Sequence, residues 1–384
     1  MSATPRLLVR LIRPAAFCLA LAVLCQAIAC HRARVAPKPP VQEKAPPKQK
    51  LPSAPATGVT ATGVPHVRVR LLEDVAVVRL GGTETGIRFR DAATGADIAM
   101  LSPNESWDAV RFGENAQLRV AMPDGRVSRD HPDGIYAEGP GGSPVTVDGK
   151  AYRGRIYIYT MPDGNLRAIN VLPLEDYLRS VVPVEIGTLN ESCMEALKAQ
   201  AVVARSFAMA KMRQNRGYAF DMSADTGDQV YLGVAREARA TDRAVQATRG
   251  EVLSYRGTVI TAYYHSTCGG RTADPKEVWG EDFARTAGFL HSVDDGDFDK
   301  GSRWQTWSVK WTRRQLLDRI RKNLPSAAGV SAEQAGEPKD IEIVERGLSG
   351  RNARIKVTTD KRGFEVAGDQ IRRVLRQQDG AMLP

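Results

Sequence analysis

From His66 to Tyr159 apolar and polar residues alternate in short runs. His66–Leu72, Val75–Leu80, Ile87–Arg90 and Tyr152–Tyr159 each show a period of two with β-branched or aromatic residues. Turn sequences such as Asp91–Gly95, Pro123–Gly125, Pro132–Gly134 and Pro162–Gly164 separate these runs, a pattern that predicts short strands joined by tight turns. After Pro173 the period changes. Leu174, Tyr177, Leu178 and Val181 recur at spacings of three and four, predicting a helix that opens at Pro173 and stops at Pro183. A second helical stripe runs through Met194, Leu197, Ala201, Ala204 and Ala208, widened by Phe207 and Met212. Ser192 and Glu195 stand before it at capping-box spacing. Farther on, Thr258–Ala262, Ile341–Val344 and Ala353–Thr359 read as strands, while the segments from Thr312 and from Val366 to Gln377 read as helices. Trp304, Trp307 and Trp311 crowd one segment and are expected to pack against the core. No internal repeat marks a solenoid. The expected fold class is α+β, with a β-rich module over residues 66–150 and a mixed helix and strand domain over residues 151–384.

The formal net charge of +10 suggests nucleic acid until it is located. Arg6, Arg10 and Arg13 give residues 1–30 a charge of +3, and residues 31–65 hold +5, which leaves only about +2 for the body. A nucleic-acid partner is therefore not supported. The three arginines precede an apolar run from Pro14 to Leu24, followed by Ala27-Ile28-Ala29-Cys30. This is the layout of an export signal, and small residues before a cysteine resemble a bacterial lipobox. Cleavage there would expose Cys30 for lipidation and anchor the protein to a membrane through acyl chains. Ordinary signal cleavage, with Cys30 incidental, is the other reading. Residues 31–65 contain eight prolines and almost no large apolar side chain. Such a tether cannot offset its ordering entropy by burial, and 35 residues of polyproline II would reach roughly 100 Å.

One carboxylate stands out. Glu185 sits among apolar neighbours in Val182–Gly187, between the two helix patterns. Partial desolvation there would disfavour its charged form and suit it to donate a proton, although a surface glutamate in a loop is the commoner reading of the local sequence alone. Two polar strings follow. Asp221–Tyr231 ends in Gln229 and Tyr231, which point to one face of an extended segment. Tyr263–Gly270 carries His265, Ser266 and Thr267. Hydroxyls, an amide and aromatic rings suit sugar recognition, while a buried histidine with satisfied partners is the commoner role for His265. Arg205 interrupts the alanine-rich helix, so it either ion-pairs internally or faces a cleft.

Taken in order, LEDYLRSVVPVEIG, EALKAQAVVARSFA, DTGDQVY, ATRGEVLSYRG and AYYHSTCGG resemble the SpoIID/LytB domain family over roughly residues 150–311. Members of that family cleave, or assist enzymes that cleave, bacterial peptidoglycan. The resemblance implies a lytic transglycosylase acting on glycan strands without stem peptides, with Glu185 at the family's catalytic position and Ile186 where Met is usual. It makes Gln229, Tyr231, His265, Ser266, Thr267 and Arg205 the substrate-binding candidates. It also implies an alternative, a non-catalytic glycan-binding enhancer of a cell-wall amidase. A wall tether without chemistry is a third reading.

Some relatives carry zinc on Cys and His residues in the string ending Q-V-Y, where this chain shows Ser223, Gly227 and Asp228. His265 and Cys268 alone are too few for a structural zinc site, so no metal and no cofactor are expected. Cys193 and Cys268 could form a disulfide in an exported protein or remain free thiols. The expected location is outside the cytoplasm, facing the wall, with an outer-membrane anchor as one destination because His31 rather than Asp follows Cys30.

Overall fold

The structure is a computed structural model and describes residues 63–187, 189–377 and 379–383. The export signal, Cys30 and the tether up to residue 62 lie outside the described residues. No helix among the described residues is long and apolar enough to cross a membrane. Contacts divide the chain into two compact units, with the boundary between Tyr263 and Tyr264. Both contain helices and strands, so the fold is α+β.

In the first unit the alternating runs form β1 (His66–Val75), β2 (Val77–Gly82), β3 (Ile87–Asp91), β4 (Asp97–Leu101), β5 (Ser106–Phe112) and β6 (Gln117–Ala121). They continue as β7 (Ile135–Glu138), β8 (Val145–Val147), β9 (Lys150–Tyr152), β10 (Arg155–Thr160) and β11 (Leu166–Pro173). Among the described residues these make two sheets. One has the order β6-β5-β2-β8-β9, and the other runs β1-β11-β10-β7-β3-β4 with a short β12 (Met222–Ser223) parallel to β1. Residue 150 is no boundary, because β9 pairs with β8 across it and β10 pairs with β7.

The strand expected over 152–159 is split at Gly154. Its φ is 77°, and a Cβ there would meet the Val171 carbonyl oxygen at 2.4 Å. Glycine alone allows the chain to turn this close to β11. Central β11 was not marked by alternation, because Leu166, Ala168, Ile169, Asn170, Val171 and Leu172 are all buried. A strand covered on both faces loses the period of two.

Among the described residues three α-helices complete the unit: α1 (Leu174–Ile186), α2 (Met194–Gln214) and α3 (Arg239–Ala247). Pro173 ends β11 and caps α1 rather than starting it. Helix α1 also passes through Pro183 instead of stopping there. Burial of Val181, Val182, Pro183 and Ile186 outweighs the lost backbone donor, and Gly187, at φ 88°, ends the helix. The cap expected from Ser192 does not form: α2 opens after Cys193 without a side-chain cap, and Asn190 instead caps the short 3-10 turn Glu191–Cys193, accepting the Ser192 N–H at 3.0 Å.

A buried acid–imidazole pair ties the end of β3 to the loop that carries His131. Asp91 Oδ2 lies 2.7 Å from His131 Nδ1, and Asp91 Oδ1 accepts from Thr94 N and Oγ1 at 3.0 and 2.9 Å. The His131 hydrogen bond, assisted by Thr94 against the effect of burial, holds the Asp91 carboxyl down to about 2. Its folded value lies below the unfolded one. The stabilisation is therefore fully present above about pH 4 and is lost as pH falls from there through about 2. Asp91→Asn is expected to flatten the acid limb of stability in that window, measured as urea midpoints against pH. Parallel limbs for the two proteins would contradict this role.

The second unit begins with α4 (Pro275–Trp279) and α5 (Glu281–Thr286) and continues through α6 (Arg313–Ala328) and α7 (Ala332–Ala335). An antiparallel sheet of β15 (Pro338–Arg346), β16 (Asn352–Thr359) and β17 (Gly363–Ala367) follows, then α8 (Asp369–Val374). (The hairpin of β13, Ser254–Tyr255, and β14, Thr258–Val259, belongs to the first unit.) Thr312 caps α6 through a complete capping box with Gln315, as its position before the helix pattern suggests. Ile320, Leu324, Ile355, Val357, Phe364 and Val366 form the core. Val366 thus lies in β17, not in the last helix. Trp304 and Trp307 are exposed rather than packed in that core.

Candidate active site around Glu185

Glu185 is half-buried in the last turn of α1, not in a break between helices. Its Oε1 accepts the backbone N–H of Val230 at 2.9 Å. That amide sits between Gln229 and Tyr231. Two more contacts lay the same string along α1. The Tyr177 hydroxyl donates to Gln229 Oε1 at 3.1 Å, and the Leu232 N–H donates to Ser180 Oγ at 3.3 Å. Tyr177, Ser180 and Glu185 therefore present one polar seam to residues 229–232. The C-terminal end of a helix opposes negative charge, whereas the Val230 N–H favours it.

Gln229 and Tyr231 do share one face, as extended spacing requires, but that face points inward. Gln229 is 0 % exposed, and its Nε2 donates to the Ala204 carbonyl of α2 at 3.4 Å. Tyr231 is buried against the rings of Tyr152 and Tyr177. Its hydroxyl donates to Asn170 Oδ1 at 2.7 Å, and Asn170 in turn donates to the Arg153 and Arg155 carbonyls at 2.8 and 3.2 Å. Burial pushes the Tyr231 phenol far above its ordinary value, so it stays a neutral donor. Both residues position the Val230 amide under Glu185 instead of gripping a sugar.

Arg205 is likewise internal. At 1 % exposure its guanidinium forks onto Glu175 at 2.7 and 2.9 Å. It also donates to the Val245 and Glu251 carbonyls at 3.2 and 3.1 Å. Of the two outcomes open to it, ion-pairing inside the fold is the one realised. It locks α1 to α2 and to the turn after α3.

Asp225 and Asp228 organise the polar string. Asp225 Oδ1 accepts from Gly227 N and Ser223 Oγ at 2.8 and 2.9 Å. Asp228 pairs with Lys211 at 2.7 Å and accepts the Ser223 N–H at 2.8 Å. Lys211 also lies over the Phe207 ring, which meets exposed Tyr263 edge-on.

His265, Ser266 and Thr267 belong to the second unit. His265 and Ser266 are exposed, while Thr267 is half-buried with Oγ1 at 2.6 Å from Ser302 Oγ. Cys268 is a free, buried thiol, so no Cys193–Cys268 bridge forms. Burial, and then a hydrogen bond to Asp295, push this thiol up to about 12. Sequence reasoning passed over the Val230 amide, Asn170 and the Ser180 hydroxyl. A hydroxyl on the apolar stripe of a helix is a signal for a buried partner, and Ser180 carries it. Tyr231→Phe should keep the ring contacts but strand Asn170 Oδ1, costing about 1–2 kcal/mol in urea unfolding. An unchanged midpoint would remove the hydroxyl from the scaffold.

Sequence comparison finds relatives of the stretch that carries this arrangement. Residues 162–255 match the family model of the Stage II sporulation protein domain, SpoIID. This match, with relatives named Amidase enhancer and Stage II sporulation protein D, supports the SpoIID/LytB family for that stretch. Residues 281–382 match a domain of unknown function, DUF8618. The chain is 36% identical over 151 residues to an uncharacterized protein of Brachyspira hyodysenteriae, covering 38% of this chain and 40% of that protein. It is 37% identical over 136 residues to the Amidase enhancer of Bacillus subtilis, covering 35% and 18%. With Stage II sporulation protein D of the same bacterium it shares 26% over 219 residues, covering 52% and 62%. The chain thus spans between 18% and 62% of the length of these relatives.

Proposed function

We infer that the protein is a peptidoglycan lytic transglycosylase with Glu185 as its single acid and base. The observation that carries this is the Glu185 carboxylate, half-buried at the end of α1 and held by the Val230 amide of the Q-V-Y string. In its protonated form Glu185 gives its proton to the glycosidic oxygen as the C1–O bond breaks. The resulting carboxylate then takes the proton of the muramic C6 hydroxyl, whose oxygen bonds to C1. The product is a 1,6-anhydro end, and Glu185 is again protonated. No second carboxylate is required, unlike the hydrolytic glycosidases. That agrees with the engagement of Asp225 by the Gly227 N–H and of Asp228 by Lys211 of α2.

The substrate is the glycan strand, reached from a membrane anchor at Cys30. Within the second unit, exposed His265 and Ser266, with Thr267, are separate sugar-binding candidates. Incubation with intact sacculi and with glycan stripped of stem peptides, followed by mass spectrometry, tests the proposal. Anhydro-muramic ends from the stripped glycan are expected, and no new ends from either substrate would refute it.

The 37% identity to a protein named Amidase enhancer supports one other reading. In that case the protein binds glycan and stimulates a separate cell-wall amidase. Stimulation that survives Glu185→Gln in full would favour it.

A further inference from the structure

The second unit gathers three metal-ligating side chains that the glycan reading does not use. Cys268 Sγ and one carboxylate oxygen each of Asp295 and Asp299 lie within 4.8 Å of one another. Asp299 is 1 % exposed. Its Oδ2 accepts the Cys268 and Gly269 amides at 2.9 and 2.6 Å, but its buried Oδ1 has no hydrogen-bond partner among the described residues. A buried carboxylate oxygen left without a donor is costly, and a cation at the cluster would satisfy it. Sγ already stands 3.1 Å from Asp295 Oδ2. Ligand atoms at about 2.3 Å (sulfur) and 2.1 Å (oxygen) from a tetrahedral zinc ion are roughly 3.5 Å apart. Small outward shifts would open room for the ion.

The geometry points to a zinc site formed by Cys268, Asp295 and Asp299. Thiolate with carboxylates favours Zn²⁺ over the hard cations Mg²⁺ and Ca²⁺, which prefer oxygen alone. On ligation the thiol proton passes to solvent, sulfur donates an electron pair to the metal, and no oxidation state changes. The ion would tie the string bearing His265, Ser266 and Thr267 to the 295–299 turn. Arg351 reinforces that string by donating to the Cys268 and Arg271 carbonyls. The expectation of no metal rested on His265 and Cys268 alone. The fold adds two acids, 27 and 31 residues beyond Cys268. The site is independent of any reaction at Glu185.

The full chain, purified in detergent and stripped with a chelator, is titrated with Co²⁺ and then with Zn²⁺. One Co²⁺ per chain is expected, with a near-ultraviolet thiolate-to-cobalt band that one equivalent of Zn²⁺ removes. Cys268→Ser should abolish the band. Asp299→Asn should weaken binding on the order of 100-fold or more, since even outer-shell changes cost 10–100-fold. Asp295→Asn, at a half-buried position, supplies a second ligand test if Asp299→Asn does not fold. Absence of the band in the wild-type chain overturns the site whatever the variants do. So does a band that survives Cys268→Ser.

Discussion

Glu185→Gln is expected to lower the rate of glycan cleavage by about 10²–10⁴-fold, the usual contribution of a positioned acid and base. The amide is nearly the size of the carboxyl, and its oxygen can still accept the Val230 N–H. It can neither release a proton to the glycosidic oxygen nor take one from the C6 hydroxyl. Folding should therefore survive while turnover fails. A change of less than about 1 kcal/mol in urea unfolding is the accompanying expectation, because the replacement is isosteric at a half-buried position. Equal loss of stability and activity would instead make Glu185 a structural residue.

The largest stability effect is expected at Arg205. Arg205→Ala removes the counter-ion of Glu175, whose side chain is only 20% exposed. It also leaves the Val245 and Glu251 carbonyls without their guanidinium donor. Breaking a buried pair from one side costs about 3–5 kcal/mol, a large share of the roughly 5–15 kcal/mol that stabilises a typical domain. The double change Arg205→Met with Glu175→Leu should recover part of this, because the unpaired charge leaves with its partner. Recovery stays incomplete while the two carbonyls lack donors. A cost below about 1 kcal/mol for Arg205→Ala, typical of exposed ion pairs, would contradict the locking role.

The strands and helices were legible where one side of an element faces the core and the other does not. β3, α2 and α6 carry that asymmetry in their sequence. β11 does not, since it is covered on both faces and loses its alternation. Pro183 misled for a related reason. Local backbone chemistry argued for a stop, while the apolar side chains around it packed well enough to carry the helix one more turn.

The candidate site was legible as a set of motifs but not as roles. Gln229 and Tyr231 stand out as an amide and a phenol suited to sugar, and Arg205 as a charge on an apolar helix surface, and all three need polar partners. The sequence could not tell that those partners are Tyr177, Asn170 and Glu175 within the fold. Val230 was invisible because it acts through its backbone. Asp295 and Asp299 were missed because they reach Cys268 only through the fold of the second unit.

The most direct measurement is product analysis of stripped glycan strands in ¹⁸O-labelled water, for the wild-type chain and for Glu185→Gln. Lytic transglycosylation by one carboxylate predicts unlabelled 1,6-anhydro-muramic ends from the wild type and almost none from the variant. Reducing ends carrying ¹⁸O, or equal yields from the two proteins, would contradict it.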